Sequence, residues 1–302
     1  MKVDDINFKF FYINKWDNGE FKGDAISTTS ELVKISSDGN LGLQEGQKFE
    51  RGGIYRFTVD VTKGNTKAVL TVEKVGKVDL PAPDIFFGNS KMEVTDTDIY
   101  KSDQVFTRGQ MITVTGIDNL NEWWIDPDFF EKQSDGTLKF LPINGDYRVT
   151  ANGILKYFSV IALKDGKPAK LQDDGTGAIW AIGKGIGKPS VTSSEVGWET
   201  GKALCLAQVA PKKYQLTLKA GETLKTSGDW EAISFKFFYQ NDWGGEFSNY
   251  ASNTLVEQLK LTGSGNLEMQ DNKAFEEGGV YRFTIDVTNG NANAILKVEK
   301  IN

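Results

Sequence analysis

Along most of the chain, aromatic or β-branched residues alternate with polar ones, and clusters of Gly, Asn and Asp break the alternation into short runs. Tyr55-Arg-Phe-Thr-Val-Asp-Val61, Tyr214-Gln-Leu-Thr-Leu218 and Tyr281-Arg-Phe-Thr-Ile-Asp-Val287 each place an apolar side chain at every second position. A period of two buries one face of an extended strand and wets the other. Each of these runs is therefore predicted to be a strand, and no segment carries the period of a long amphipathic helix. With 32 Gly and 7 Pro supplying the turns, the pattern predicts an all-β protein.

The pattern also repeats. Ile6-Asn-Phe-Lys-Phe-Phe-Tyr12 reappears as Ile233-Ser-Phe-Lys-Phe-Phe-Tyr239, and Trp16 falls on Trp243. One residue is then deleted. After it, Gly19-Glu20-Phe21 matches Gly245-Glu246-Phe247, Gly39-Asn40-Leu41 matches Gly265-Asn266-Leu267, and Gly52-Gly53 matches Gly278-Gly279. Val72-Glu73-Lys74 closes one copy and Val298-Glu299-Lys300 the other. Between them lies a diverged version of the same order of signals, from Ile85-Phe-Phe-Gly88 to Leu155-Lys-Tyr-Phe-Ser-Val160, with a Trp pair at 123 and 124. The reading is three modules, 1–78, 84–163 and 178–302. Leu80-Pro-Ala-Pro83 separates the first two, while Lys164-Asp-Gly-Lys-Pro168 and Asp173-Asp-Gly-Thr-Gly177 bound the second link.

Residues 178–232 have no counterpart ahead of Ile6, so 1–78 reads as the second half of a module and the chain as a fragment of a longer protein. Such a half-module is expected to expose apolar surface or an unpaired strand edge.

Composition narrows the chemistry. A 39% hydrophobic, 25% charged chain without an apolar run of bilayer length is a folded soluble type, with no membrane-spanning segment expected. Lys and Arg number 35 against 41 Asp and Glu, a net charge of −6, which argues against nucleic acid as a partner. The chain has no His, which removes Ser-His-Asp and Cys-His catalysis and His-ligated zinc. The single Cys, Cys205, lies in an apolar run and reads as a small buried hydrophobe. No cofactor or metal is expected.

The ordered set in the last module is a Gly-ended strand, Gly197-Trp198, Tyr-x-Leu-Thr-Leu with Ala220-Gly221, Phe235-Lys-Phe237, Trp243, Gly265-Asn-Leu267 and Gly279-x-Tyr-x-Phe-Thr-x-Asp. This succession resembles the SusE/SusF type of starch-binding outer-membrane lipoprotein of Bacteroidetes. The resemblance spans 178–302, the half-module 1–78 and, more faintly, 84–163. It implies tandem immunoglobulin-like β-sandwich modules, the first incomplete, that bind polysaccharide at the cell surface without catalysis. The implied ligand is starch or another α-glucan, and the implied neighbours are other outer-membrane glycan-uptake proteins. Met1-Lys-Val-Asp-Asp5 holds no apolar signal stretch, and no lipidated Cys stands near it, so the outer-membrane placement rests on the resemblance.

Sugars offer flat C–H patches rimmed by hydroxyls, so a binder supplies aromatic platforms beside hydrogen-bonding groups. On Phe235-Lys236-Phe237 the alternation points the two Phe inward and Lys236 outward. Trp243 lies just past that strand in a turn of Gln240-Asn-Asp-Trp-Gly-Gly245. By the resemblance, Lys236 is the donor, Trp243 one platform and Trp198 the second, with Asn241 and Glu246 within reach of hydroxyls. In the first module Lys9 and Trp16 are their counterparts, and a Trp198 equivalent is missing, so that site is expected to be incomplete. In the middle module the adjacent Trp123 and Trp124 point to opposite faces, one packed and one exposed. Trp124 is the candidate binding residue of the pair.

Other motifs carry less. Gly183-Lys-Gly-Ile-Gly-Lys188 lacks the spacing of a phosphate loop. Asp126, Asp128 and Glu131 invite a glycosidase reading but form no identifiable acid pair. Asp96-Thr-Asp98 and Asp173-Asp174 do not fit calcium-loop spacing. The competing reading for the whole chain is a structural or adhesive surface protein whose modules act as spacers, since sandwich folds host unrelated functions.

Overall fold

The alternating runs pair as the pattern predicts. The computed structural model describes residues 6–14, 19–50, 52–78, 83–227 and 232–302. Their fold is all-β: strands of two to ten residues dominate, beside one four-residue α-helix, Val191–Ser194, and three short 3-10 turns among the described residues. The chain divides into two units, Met1–Ala82 and Pro83–Asn302.

In the first unit, Gly53–Asp60 runs antiparallel to Ala68–Lys77, which is flanked by Ile26–Thr28 in parallel. A hairpin of Val33–Ile35 and Leu41–Leu43 lies beside them, and Phe8 bridges to Leu41. Ile6, Phe21, Ile26, Val33, Leu41, Phe49, Ala68, Leu70 and Val72 form the core.

The second unit holds two cores. The first belongs to residues 85–160. A five-stranded sheet runs in the order Lys167–Pro168, Tyr157–Lys164, Gly145–Asn152, Ile99–Phe106, Glu93–Asp96, and it packs on short strands that include Leu138–Phe140 and Phe130–Lys132. Phe106 and Phe140 stack inside, with ring centroids 4.9 Å apart. The second core lies between two sheets. One runs Ala207–Ala210, Lys213–Lys219, Val280–Asp286, Ile295–Lys300, Ser252–Thr254. The other runs Glu195–Gly197, Trp180–Gly187, Ser234–Phe238, Leu267–Met269, Leu259–Leu261, with Leu204–Cys205 also on Trp180–Gly187. Phe235 and Phe237 from one sheet meet Phe283 from the other at 5.5 and 6.4 Å. All three rings are fully buried, and each such side chain stabilises the fold by about 1.5–3 kcal/mol relative to leaving it in water.

Residues 164–177, read as a link, are part of this body. Lys164 and Lys167 close a hairpin, and Asp174 closes a turn by accepting from the Thr176 N–H at 2.9 Å and its hydroxyl at 2.6 Å. Ala169 and Leu171 join the last core, and the Leu171 N–H donates to the Tyr239 carbonyl at 2.7 Å. Ala207, from the far side, completes the preceding core.

The expectation for the half-module can be read from the duplicated strands. Tyr281, Phe283 and Ile285 are 1%, 0% and 0% exposed, whereas their counterparts Tyr55, Phe57 and Val59 are only half-buried. Val287 is buried and its counterpart Val61 is 49% exposed. Apolar surface is thus open on the first unit, at positions whose counterparts in the last module are buried.

Candidate functional site

The site is built on Trp180–Gly187 and Ser234–Phe238, which pair antiparallel with Trp180 opposite Phe238, Ile182 opposite Lys236 and Gly183 opposite Phe235. Directly opposed residues project from the same face. Phe235 and Phe237 fill the core between the sheets, so Trp180, Ile182, Lys236 and Phe238 share the opposite face, where Trp180, Ile182 and Phe238 are themselves buried and Lys236 is half-buried. The bridge between Phe238 and Glu246 brings Glu246 to that face too.

Two Trp residues roof it. Trp198 follows the edge strand Glu195–Gly197, where Gly197 opposes Gly183. Gly183 has φ of +139°, and a Cβ there would lie 2.4 Å from both the Phe235 Cα and the Ser234 carbonyl oxygen. Only glycine allows the strands to close beneath Trp198. Trp243 sits in the turn after Ser234–Phe238. Its N–H donates to the Asp242 carboxylate at 2.8 Å, and its carbonyl accepts from the Gln240 amide at 2.7 Å. The turn is closed by the Tyr239 N–H donating to the Gly245 carbonyl at 2.5 Å and the Phe247 N–H donating to the Phe237 carbonyl at 2.9 Å.

The two indoles lie with centroids 6.2 Å apart and planes inclined by 28°. Phe238 supports Trp243 edge-on at 5.8 Å. Trp243 is 49% exposed, while Trp198 is half-buried against the core. Among the described residues neither indole N–H donates to a protein group, and Lys236 makes no ion pair. Asn241 is half-buried in the same turn. Glu246 is half-buried and its Oε1 lies 3.4 Å from the Gly244 N–H. The arrangement offers two nearly parallel apolar faces, an unpaired ammonium, and amide and carboxylate groups at one rim.

The other candidates fare differently. In the first unit, Lys9 spends its ammonium on the Asp38 carbonyl at 2.8 Å. Trp16 lies outside the described residues. Trp123 is buried and stacks on Phe158 at 4.6 Å. Trp124 is half-buried and touches both cores of the second unit. Its indole N–H donates to Glu222 at 2.5 Å, Tyr157 meets its ring edge-on at 5.4 Å, and the Lys188 ammonium lies 5.9 Å from its ring centroid. With its N–H and ring committed, it has little left to offer a ligand.

Beside Trp124 lies a charged cluster that sequence reading missed. The Lys188 ammonium reaches across from the last module to Asp126 at 2.7 Å and Asp128 at 3.2 Å. All three side chains are at most 4% exposed. Asp128 also accepts from the Gln215 amide at 2.7 Å, and from the Thr217 N–H and hydroxyl at 2.6 Å each. Burial pushes the Asp126 carboxyl up, and the neighbouring Asp128 charge adds to this against the pull of Lys188. Burial acts the same way on Asp128, but Lys188 and its hydrogen-bond donors outweigh it and hold the group below its usual range. Lys188 is held above its usual value because the two carboxylates overcome the cost of burial. These acids tie the two cores of the second unit together through Lys188, Gln215 and Thr217. No local signal links Lys188 to Asp126, since the two lie 62 residues apart.

Fold and site together define an all-β protein with a partly exposed aromatic pair beside one sheet. The chain belongs to the family described as a domain of unknown function, DUF5121, whose model matches residues 1–62 and 174–288. A second domain of unknown function, DUF5125, matches residues 80–171. The first family thus covers both copies of the duplicated module and the second covers the diverged segment between them. A search of curated proteins finds no match.

Proposed function

We propose that the chain is a non-catalytic glycan-binding protein that takes an α-glucan such as starch on the aromatic pair of its last module, at the bacterial cell surface. The observation that carries this reading is the Trp198 and Trp243 pair, nearly parallel and partly open to solvent. Stacking of C–H faces on Trp replaces water at an apolar surface that the fold otherwise leaves wet. The 28° inclination between the rings suits a chain whose successive sugars turn relative to one another. Lys236, Asn241 and Glu246 supply donors and an acceptor for the hydroxyl rim. The outer-membrane setting and the association with other glycan-uptake proteins follow from the sequence resemblance. Among the described residues no helix is long and apolar enough to cross a membrane.

Affinity electrophoresis against a panel of soluble polysaccharides tests the reading. The wild-type chain should be retarded by an α-glucan gel, and Trp243→Ala and Trp198→Ala should each weaken retardation about tenfold, the loss of one stacked ring. Unchanged retardation in both variants, or none by any polysaccharide from a folded chain, refutes it. The second reading is a rigid spacer, and the observation that favours it is the buried Lys188, Asp126 and Asp128 clamp, which fixes the last two modules to each other. Absence of glycan retention would leave that reading standing.

A further inference from the structure

Between the two cores of the second unit lies a cleft of about 670 Å³, within the range of about 300–1,000 Å³ that small-molecule sites occupy. One wall is a sheet face. Thr150 opposes Ser159 and Asn152 opposes Tyr157 in the pairing of Gly145–Asn152 with Tyr157–Lys164, so these four project from one side. Val149, Ala151 and Phe158 project from the other and fill the second module's core. Each of the two strands has a further partner on its other edge, Ile99–Phe106 for one and Lys167–Pro168 for the other, so the wall lacks no strand. The facing wall comes from the last module: Lys188, the short helix Val191–Ser194, and Gly201–Cys205.

The polar groups of the sheet wall are unspent. Tyr157 lines the cleft and is 8% exposed, yet among the described residues its hydroxyl makes no hydrogen bond. Burial, with the Asp126 charge adding to it, holds this phenol well above its usual range, so it stays a neutral donor. Asn152 accepts from the Ile154 and Leu155 N–H groups at 3.1 and 2.9 Å, which uses its oxygen and leaves its NH₂ free. The Thr150 and Ser159 side-chain hydroxyls also lack partners among the described residues, and both line the cleft. A sheltered polar group without a partner costs free energy that a bound hydroxyl would recover.

The charges around the cleft are already paired. Lys188 holds Asp126 and Asp128, and Lys202 reaches Glu199 at 2.9 Å. Glu195 accepts from Lys225 at 2.9 Å and from the Gly185 N–H at 2.8 Å. A charged ligand finds no free counter-charge on these groups, whereas a hydroxylated one finds donors and acceptors. Ile161, Ala203 and Leu204 add apolar surface between them.

We propose that this cleft binds a small neutral polyhydroxylated molecule, of the size of a mono- or disaccharide, whose hydroxyls meet Tyr157, Asn152, Thr150 and Ser159. Its C–H surface lies on Ile161 and Leu204. The cleft shares no lining residue with the Trp198 and Trp243 site and does not depend on it.

Titration calorimetry of the full chain tests this, with glucose, galactose and maltose as probes and glucuronate as the charged counterpart. It is run on the wild type and on the Trp198→Ala, Trp243→Ala double variant, so that heat from the aromatic pair is separated. The expected result is saturable one-to-one binding of at least one neutral sugar by both chains, weaker binding of glucuronate, and slowed amide exchange confined to residues 150–161 and 188–205. Tyr157→Phe removes a hydroxyl that no protein group uses. It should weaken binding roughly threefold to tenfold, the scale of one hydrogen bond, and leave the melting temperature unchanged. Four results would overturn the proposal: no binding of any of the three sugars by a folded chain, binding that disappears in the double variant, glucuronate bound more tightly than glucose, or a Tyr157→Phe chain that binds as well as its parent.

Discussion

Replacing Lys188 by Met removes the cation from a site that is almost closed to water. Asp126 and Asp128 are 3% and 1% exposed, and they face the same ammonium at 2.7 and 3.2 Å. After the substitution Asp128 still has three donors, from Gln215 and Thr217. Asp126 has only the Asp128 N–H, at 3.0 Å. An uncompensated buried charge of this kind costs about 3–5 kcal/mol. For a unit of this size that is a fall in melting temperature of about 10 °C. Calorimetry of the full chain reads it as a shift of the larger unit's transition, with the first unit's unchanged. The deficit at neutral pH should shrink as the solution is acidified, because Asp126, already raised by burial, takes a proton and sheds its charge. Asp126→Asn in the Lys188→Met background should recover about half of the loss, since it removes the less well hydrogen-bonded of the two charges. A Lys188→Met chain within about 1 kcal/mol of wild type, or one that Asp126→Asn fails to rescue, refutes the account of the clamp.

The remaining predictions concern separate sites. Glu50 is held down to about 2 by hydrogen bonds from Lys74 and Lys77, so its contribution to the first unit is present above 4.5 and is lost as pH falls from 4.5 towards 2. Glu50→Gln should therefore flatten the acid limb of that unit, read by exchange of the 53–60 amides. Burial pushes the Cys205 thiol up to about 12, so it should resist a thiol reagent at pH 8 in the folded chain and react at once in denaturant. Gly183→Ala places a methyl against the Phe235 backbone at a φ of +139°, and should cost about 1–3 kcal/mol or more and weaken glycan retention by displacing Trp198. Chemical denaturation and affinity electrophoresis on the same sample separate the two effects.

The strands, the duplication and the outward face of Lys236 were legible because they rest on short periods and local repeats. Alternation alone put Phe235 and Phe237 in the core and Lys236 on the other face, and the register with Ile182 agrees. The pairing of Trp198 with Trp243 was available only as a resemblance. It depends on Glu195–Gly197 docking beside Trp180–Gly187, and on Trp243 returning to Trp198 from 45 positions further along the chain, which no local signal announces. The partners of Trp124 were hidden for the same reason. Adjacent residues on an extended segment do point to opposite faces, which correctly buries one Trp, but the rule does not say what waits on the other face. Glu222 waits there, 98 residues away.

Lys188 shows how far composition misleads about buried charge. In a Gly-rich stretch of an acidic chain, a lysine reads as solvated and an Asp-Pro-Asp as a turn, each from its own neighbourhood alone. Together they are wrong, because two acidic side chains and one basic one can leave water only in company. That company fixes the second module against the third at a single register: Lys188 has no other buried carboxylate among the described residues, and Asp128 is already bound to Gln215 and Thr217 on the neighbouring strand. An apolar contact in the same place would tolerate sliding, since dispersion is non-directional. The clamp instead ties Asp126 and Asp128 of the second module to Lys188, six residues after Ile182, the strand partner of Lys236. Avidity requires only that linked sites can engage one polymer together, so the stiffness of the clamp is compatible with a glycan binder as well as with a spacer.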